Sequence, residues 1–182
     1  QVTQFTMETC EAIGLLKIDF LGLATLNILR TACELVNRYH GTNYSMDNIP
    51  YRHDDPALSD LQQKQLSEAY RLIARGDTVG VFQLESTGMR ESLRRLKPDR
   101  FEDIIAMVAL YRPGPMDNIP TYIRRKHGHE PVTYLHPLLE PYLDKTYGVF
   151  VYQEDIMAAA IALGGFTGPE ADTLGYAIRK KK

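Results

Sequence analysis

An acid inside an apolar run sets the first constraint on this chain. Leu15-Leu16-Lys17-Ile18-Asp19-Phe20-Leu21-Gly22-Leu23 follows Gly14, and its apolar residues between two glycines read as a short buried strand. Asp is disfavoured in strands, and an unpaired carboxylate in low dielectric is costly. Asp19 therefore needs a partner. A metal ion would satisfy it. So would a place at the N-cap of the next helix, where a side-chain oxygen accepts an orphan backbone N–H. The residues alone leave both readings open.

Beyond Leu23 the apolar period lengthens. Leu26, Leu29, Ala32, Cys33, Val36 and Tyr39 recur at helical spacing as far as Gly41. Further helices are expected over residues 58–74, from an N-cap at Ser86 to Leu96, and over 101–110, 118–126, 137–143 and 153–163. A last helix opens at Thr167 and Glu170, which match a capping box. Residues 7–13 suit a short helix, and 2–5, 78–84 and 147–152 suit short extended pieces. The expected class is α+β, mainly α, with one short β element at the N-terminus ahead of a helical body. A lone strand over residues 15–19 would be an unpaired edge, open to self-association with a second copy.

At 182 residues, with 44% hydrophobic and 24% charged, the composition is that of an ordinary globular protein with room for one sizeable core. No apolar run reaches bilayer length, so no membrane partner is expected. Cys10 and Cys33 lack a metal-type spacing, which points to a reducing, cytoplasmic setting. The chain opens at Gln1 and stops in a run of lysines, so a piece of something longer is expected. The formal net charge of −2 hides an asymmetry. Residues 1–60 hold four Lys/Arg against eight Asp/Glu, whereas residues 90–126 hold nine against five. That second stretch is a modest basic zone.

The candidate chemistry lies mostly in that zone. Arg112-Pro113-Gly114-Pro115 is a stiff corner, because two prolines fix φ and the glycine permits a tight bend. An Arg held there suits a phosphate or carboxylate fork, or a structural ion pair. Arg90 and Arg94 share a helix face, with Arg95 and Lys97 beside them. Arg124, Arg125 and Lys126 cluster at another helix end. Both groups suit DNA phosphates, although solvated faces and compensation of helix dipoles are the commoner roles of such clusters. No Gly-rich phosphate loop, Ser-His-Asp order or Cys-x-x-Cys is present. On residue chemistry alone, a non-catalytic helical nucleic-acid-binding module is one function class that fits.

Taken together, eight segments resemble the family of bacterial DNA polymerase III alpha subunits, the C-family replicative polymerases. They are Val2-Thr3-Gln4-Phe5, Lys17-Ile18-Asp19-Phe20-Leu21-Gly22-Leu23, Gly76-Asp77-Thr78-Val79-Gly80-Val81-Phe82-Gln83-Leu84-Glu85-Ser86, Leu96-Lys97-Pro98-Asp99, Ala109-Leu110-Tyr111-Arg112-Pro113-Gly114-Pro115-Met116, Arg125-Lys126-His127-Gly128, Thr146-Tyr147-Gly148-Val149 and Val151-Tyr152-Gln153-Glu154. They follow the family's order across nearly the whole chain.

The resemblance implies a fragment running from the end of the palm, residues 1–23, into the N-terminal part of the fingers, residues 24–182. It implies DNA-directed DNA polymerase activity in the parent, with primer–template DNA and deoxynucleoside triphosphates as partners. Other replicase subunits and the sliding clamp would bind elsewhere in the parent. By position, Asp19 matches the third catalytic, metal-ligating carboxylate and Lys17 a lysine of the same site. The cofactor implied is Mg²⁺, held as a pair of ions about 3.5–4 Å apart by several carboxylates. The other two family carboxylates come from an Asp-x-Asp motif, and this sequence contains none. The isolated fragment is therefore expected to be inactive. The family's last helix usually carries an Arg-Arg pair for the incoming nucleotide; Gly175 and Tyr176 stand there instead, with Arg179 one turn on. Arg179, Tyr176 and Arg112 are the expected nucleotide contacts, and Arg90, Arg94, Arg95, Arg124, Arg125 and Lys126 the DNA contacts. A divergent, inactive polymerase copy also fits this pattern.

Overall fold

The computed structural model describes residues 3–180, with side chains described through residue 178. It divides into two compact units that join in sequence at Ile49 and Pro50. Every regular element among the described residues is helical. The class is therefore all-α, and the expected β element is not formed. Residues 15–23 are irregular and exposed throughout. A strand needs ladder partners for its N–H and C=O groups, and no second strand is present among the described residues to supply them. Without a strand, the edge expected to self-associate does not exist. Of the expected strand at 2–5, Val2 lies outside the described residues, and residues 3–5 form none.

The first unit contains α1 (Met7–Ala12) and α2 (Ala24–His40). Thr6 caps α1 by accepting from the Thr9 N–H. Helix α2 ends at Gly41, whose φ of 63° gives the left-handed turn that closes many helices. Asn37 then folds the following loop back. Its amide oxygen accepts from Thr42 and from the Tyr44 N–H, and its amide nitrogen donates to the Tyr44 carbonyl. Neither helix buries a residue.

In the second unit, α3 (Asp60–Ala74) opens with a capping box of Ser59 and Gln62, and α4 (Thr87–Leu96) with Ser86 accepting from the Met89 N–H. Helices α5 (Phe101–Leu110) and α6 (Ile119–Lys126) meet α4 in the core. Leu93, Leu96, Met107, Leu110 and Tyr122 are fully enclosed there. Short α7 (Glu140–Leu143) leads to α8 (Gln153–Gly164) and α9 (Gly168–Lys180), which pack on each other. Thr167 and Glu170 meet in the glutamate half of the expected capping box, with the Thr167 N–H and hydroxyl both donating to Glu170 Oε2 at 2.8 Å.

The extended piece expected at 78–84 is a run of turns, and the one expected at 147–152 opens in a turn at Tyr147 and Gly148 before continuing as irregular chain, with Tyr152 extended. Gln83 and Tyr147 take left-handed φ values of 64° and 56°, which no strand accommodates. Bonds from the Val81 N–H to Thr78 and from the Leu84 N–H to Val81 close the first segment, and the Thr78 hydroxyl ties it to the Leu84 carbonyl at 2.6 Å.

Candidate nucleic-acid interface

Arg90 and Arg94 lie one turn apart on α4, and both reach the turn that ends α3. Arg90 Nε donates to the Gly76 carbonyl at 2.7 Å and Arg94 Nε to the Arg75 carbonyl at 3.0 Å. This approach explains Gly76, which has a φ of 67°. A Cβ there would come within 2.8 Å of the Arg90 carbonyl oxygen and 3.0 Å of Arg94 Nε. Each guanidinium is thus anchored by one donor, and its other N–H groups have no partner among the described residues. Anchored arginines of this kind suit phosphate oxygens, because less side-chain freedom is lost on contact. Arg95 and Arg112 are exposed, and neither side chain has a partner among the described residues. Arg112 sits in the corner ahead of a short 3₁₀ turn, Pro115–Asn118, where its carbonyl accepts from the Met116 N–H and Gly114 takes a φ of 101°.

The second basic cluster is arranged differently. Lys126 is 7% exposed and donates to Asp99 at 2.6 Å and to the fully buried Asp103 at 2.7 Å. Asp103 also accepts from Arg100 Nε at 3.2 Å and the Tyr122 hydroxyl at 3.3 Å. Arg100 extends this network to the Lys145 carbonyl and the Tyr147 hydroxyl. Arg125, 13% exposed, divides its donors among Glu130, Thr133 and the Tyr147 carbonyl. Arg124 is paired with Glu130 at 2.8 Å on the surface. The structure thus turns Arg125 and Lys126 inward: Lys126 ties α6 to α5 through Asp103, and Arg125 ties α6 to the turn at Tyr147.

The charges respond accordingly. Burial opposes the Lys126 ammonium, but the bonds to Asp103 and Asp99 prevail and hold its pKa above the usual lysine value. Burial likewise opposes the Asp99 carboxylate, and its bonds to Lys126 and Asp103 outweigh that and hold it below the ordinary range. Burial, and then the Asp103 charge, push the Tyr122 phenol up. Beside this network Arg52, Arg100 and Lys145 face Asp54, Asp99 and Glu102 in a cleft of about 390 Å³. With three cations against three anions, the cleft does not select a ligand by sign of charge.

Sequence reasoning missed Asp103, Arg100 and Tyr147. One signal was present: Glu102 and Asp103 open a helix that is apolar from Ile104 onward, and an acid on its buried side needs a cation indoors.

Lys17 and Asp19 are in the first unit. Lys17 Nζ lies 3.5 Å from Asp19 Oδ1, with both side chains largely exposed. Asp19 is not the cap of α2, which begins at Ala24 with Leu23 in the N-cap position. Among the described residues no three His, Cys, Asp or Glu side chains gather as a metal site, at Asp19 or elsewhere. The residues of this chain alone do not fit a two-metal centre. On α9, Gly175 is buried with the position of its missing Cβ 3.9 Å from Met157 Cγ on α8. Tyr176 is 46% exposed. Arg179 lies within α9, and its side chain is outside the described residues.

The fold and these surfaces define a helical module that presents anchored arginines beside a proline–glycine corner. Residues 25–182 match the model of the bacterial DNA polymerase III alpha subunit finger domain. The chain is 51% identical to DNA polymerase III subunit alpha of Aquifex aeolicus over 182 residues, 99% of this chain and 15% of that protein. It is 50% identical to the subunit of Halalkalibacterium halodurans, covering 100% of this chain and 15% of the relative. For the subunit of Staphylococcus aureus strain COL the identity is 48%, over 99% and 16%. The chain belongs to the bacterial DNA polymerase III alpha subunit family, and it spans about 15% of the length of these relatives. No helix among the described residues is long and apolar enough to cross a membrane.

Proposed function

We propose that this chain is the segment of a bacterial replicative DNA polymerase running from the end of the palm, residues 1–23, into the fingers, residues 24–182. The reaction of the whole protein is template-directed, Mg²⁺-dependent addition of deoxynucleotides to a primer 3′-hydroxyl in the cytoplasm. The observation that carries this reading is an identity of about one half to DNA polymerase III alpha subunits, sustained over essentially the whole chain. Asp19 contributes one carboxylate to the metal site and Lys17 offsets charge beside it. The remaining carboxylates must come from outside residues 1–182, so the chain alone is inactive. Anchored Arg90 and Arg94, with Arg95, are the DNA contacts that the geometry favours. The surface pair of Arg124 is a weaker candidate, and Arg125 and Lys126 are occupied indoors. Arg112, Tyr176 and Arg179 are proposed to face the nucleotide.

Asp19→Asn in the full-length polymerase tests this reading. The change keeps size and hydrogen bonding but removes the anion. Turnover in a primer-extension assay is expected to fall by orders of magnitude with the thermal melt unchanged. A near-wild-type rate with unaltered Mg²⁺ dependence would remove Asp19 from the metal site.

A further inference from the structure

Two motifs far apart in sequence touch at one point, and nothing assigned so far uses the contact. Gly88 lies in the first turn of α4, where a glycine weakens a helix relative to alanine. Its backbone is not in the left-handed region that would call for glycine. Space is the reason it is there. A Cβ built on Gly88 would overlap the Tyr111 hydroxyl and lie 3.3 Å from Tyr111 Cζ. Tyr111 follows the last residue of α5 and also packs against the core. The next residue is Arg112, the exposed guanidinium without a partner.

We propose that Tyr111, seated in the notch left by Gly88, is a strut that sets the position of Arg112, so that Gly88 and Tyr111 are positioning residues for a phosphate-binding arginine. This rests on the reading of Arg112 as a phosphate contact. The proline–glycine corner stiffens the chain after Arg112, and the strut anchors it before. Between them the guanidinium is held out to solvent at a set distance from α4, without an internal ion pair to break before it meets an anion. With the notch filled, Tyr111 moves and the start of the corner moves with it.

The test is the nucleotide KM of the full-length polymerase in primer extension, read beside its primer–template affinity from fluorescence anisotropy. Arg112→Ala removes a charge-assisted phosphate contact, so it is expected to raise the nucleotide KM by about tenfold or more with primer–template affinity unchanged. Gly88→Ala and Tyr111→Ala should each do the same, and Gly88→Ala combined with Arg112→Ala should lose nothing further. Adding Tyr111→Phe to Gly88→Ala removes the overlapping oxygen and should restore the KM, which a general loss of folding would not allow. If Gly88→Ala does not fold, Tyr111→Ala decides the matter, since it removes the strut without a clash. A wild-type KM in Gly88→Ala or Tyr111→Ala, beside a raised KM in Arg112→Ala, would overturn the strut while keeping the Arg112 contact. An unchanged KM in Arg112→Ala would overturn the contact and the strut together.

Discussion

Helix α2 in the first unit and helix α5 in the second both show an apolar face to a reader of the sequence, yet they end differently. In α2, Leu26, Leu29 and Val36 fall on one stripe and are all at least 38% exposed. In α5, Ala106, Met107 and Leu110 are at most 1% exposed, and the helix even encloses an acid. Local periodicity specifies that a helix will form and which face is apolar. Burial depends on a second surface, and α5 has α4 and α6 where α2 has no comparable partner within its own unit. The second unit therefore holds the core of this chain, and the first presents apolar surface.

The largest expected effect comes from the buried charge. Lys126→Ala leaves Asp103 enclosed without its ammonium, and breaking such a pair costs about 3–5 kcal/mol. Urea unfolding should show that loss at neutral pH. Next come the paired truncations that set the two units against each other. Leu93→Ala should cost about 2–5 kcal/mol, whereas Leu29→Ala should stay within about 0.5 kcal/mol. Equal losses at the two sites would show that α2 is as enclosed as α4, and the contrast would collapse.

The smallest effect is in the pH profile. Asp99 is held below its ordinary range, so its contribution is present above about pH 4 and fades as pH falls through the lower folded value. Lys126 is held above its usual value, so its contribution is present below about pH 10 and fades as pH rises through the higher folded value. Unfolding free energy from this network should be flat from about pH 5 to 9 and decline on both sides. Lys126→Met should reduce the alkaline limb and leave the part due to Tyr122, whose phenol is also held up; an unreduced limb would take Lys126 out of it.

Much of the helical body was legible because its signals are local. Ser59 with Gln62, Ser86, the apolar run of α5 and Thr167 with Glu170 each announce a helix within a few residues. Residues 15–23 were misread because an apolar run shows the potential for a strand and says nothing of a partner strand. The left-handed turns at Gln83 and Tyr147 were hidden, since neither residue type signals positive φ. At the site, Arg90 and Arg94 shared a face as their spacing required. In the basic run at 124–126, the inward turn of Arg125 and Lys126 was hidden for a different reason. Charge is visible in a sequence, but whether a cation points outward depends on an acid 23 residues away, in this case Asp103 for Lys126.

The bond between Asp103 and Lys126 also bears on how this module can change over generations. Replacing either residue alone leaves a buried charge short of its nearest buried partner, with Arg100 left for Asp103 or Asp99 for Lys126. Replacing both with well-packed apolar side chains of similar volume is often neutral or stabilising. The two-step route between those endpoints passes through a protein that is several kcal/mol less stable, a large part of a typical domain's reserve of about 5–15 kcal/mol. Positions 103 and 126 are therefore expected to drift as a couple, or not at all, and a homologue that alters one should already have altered the other.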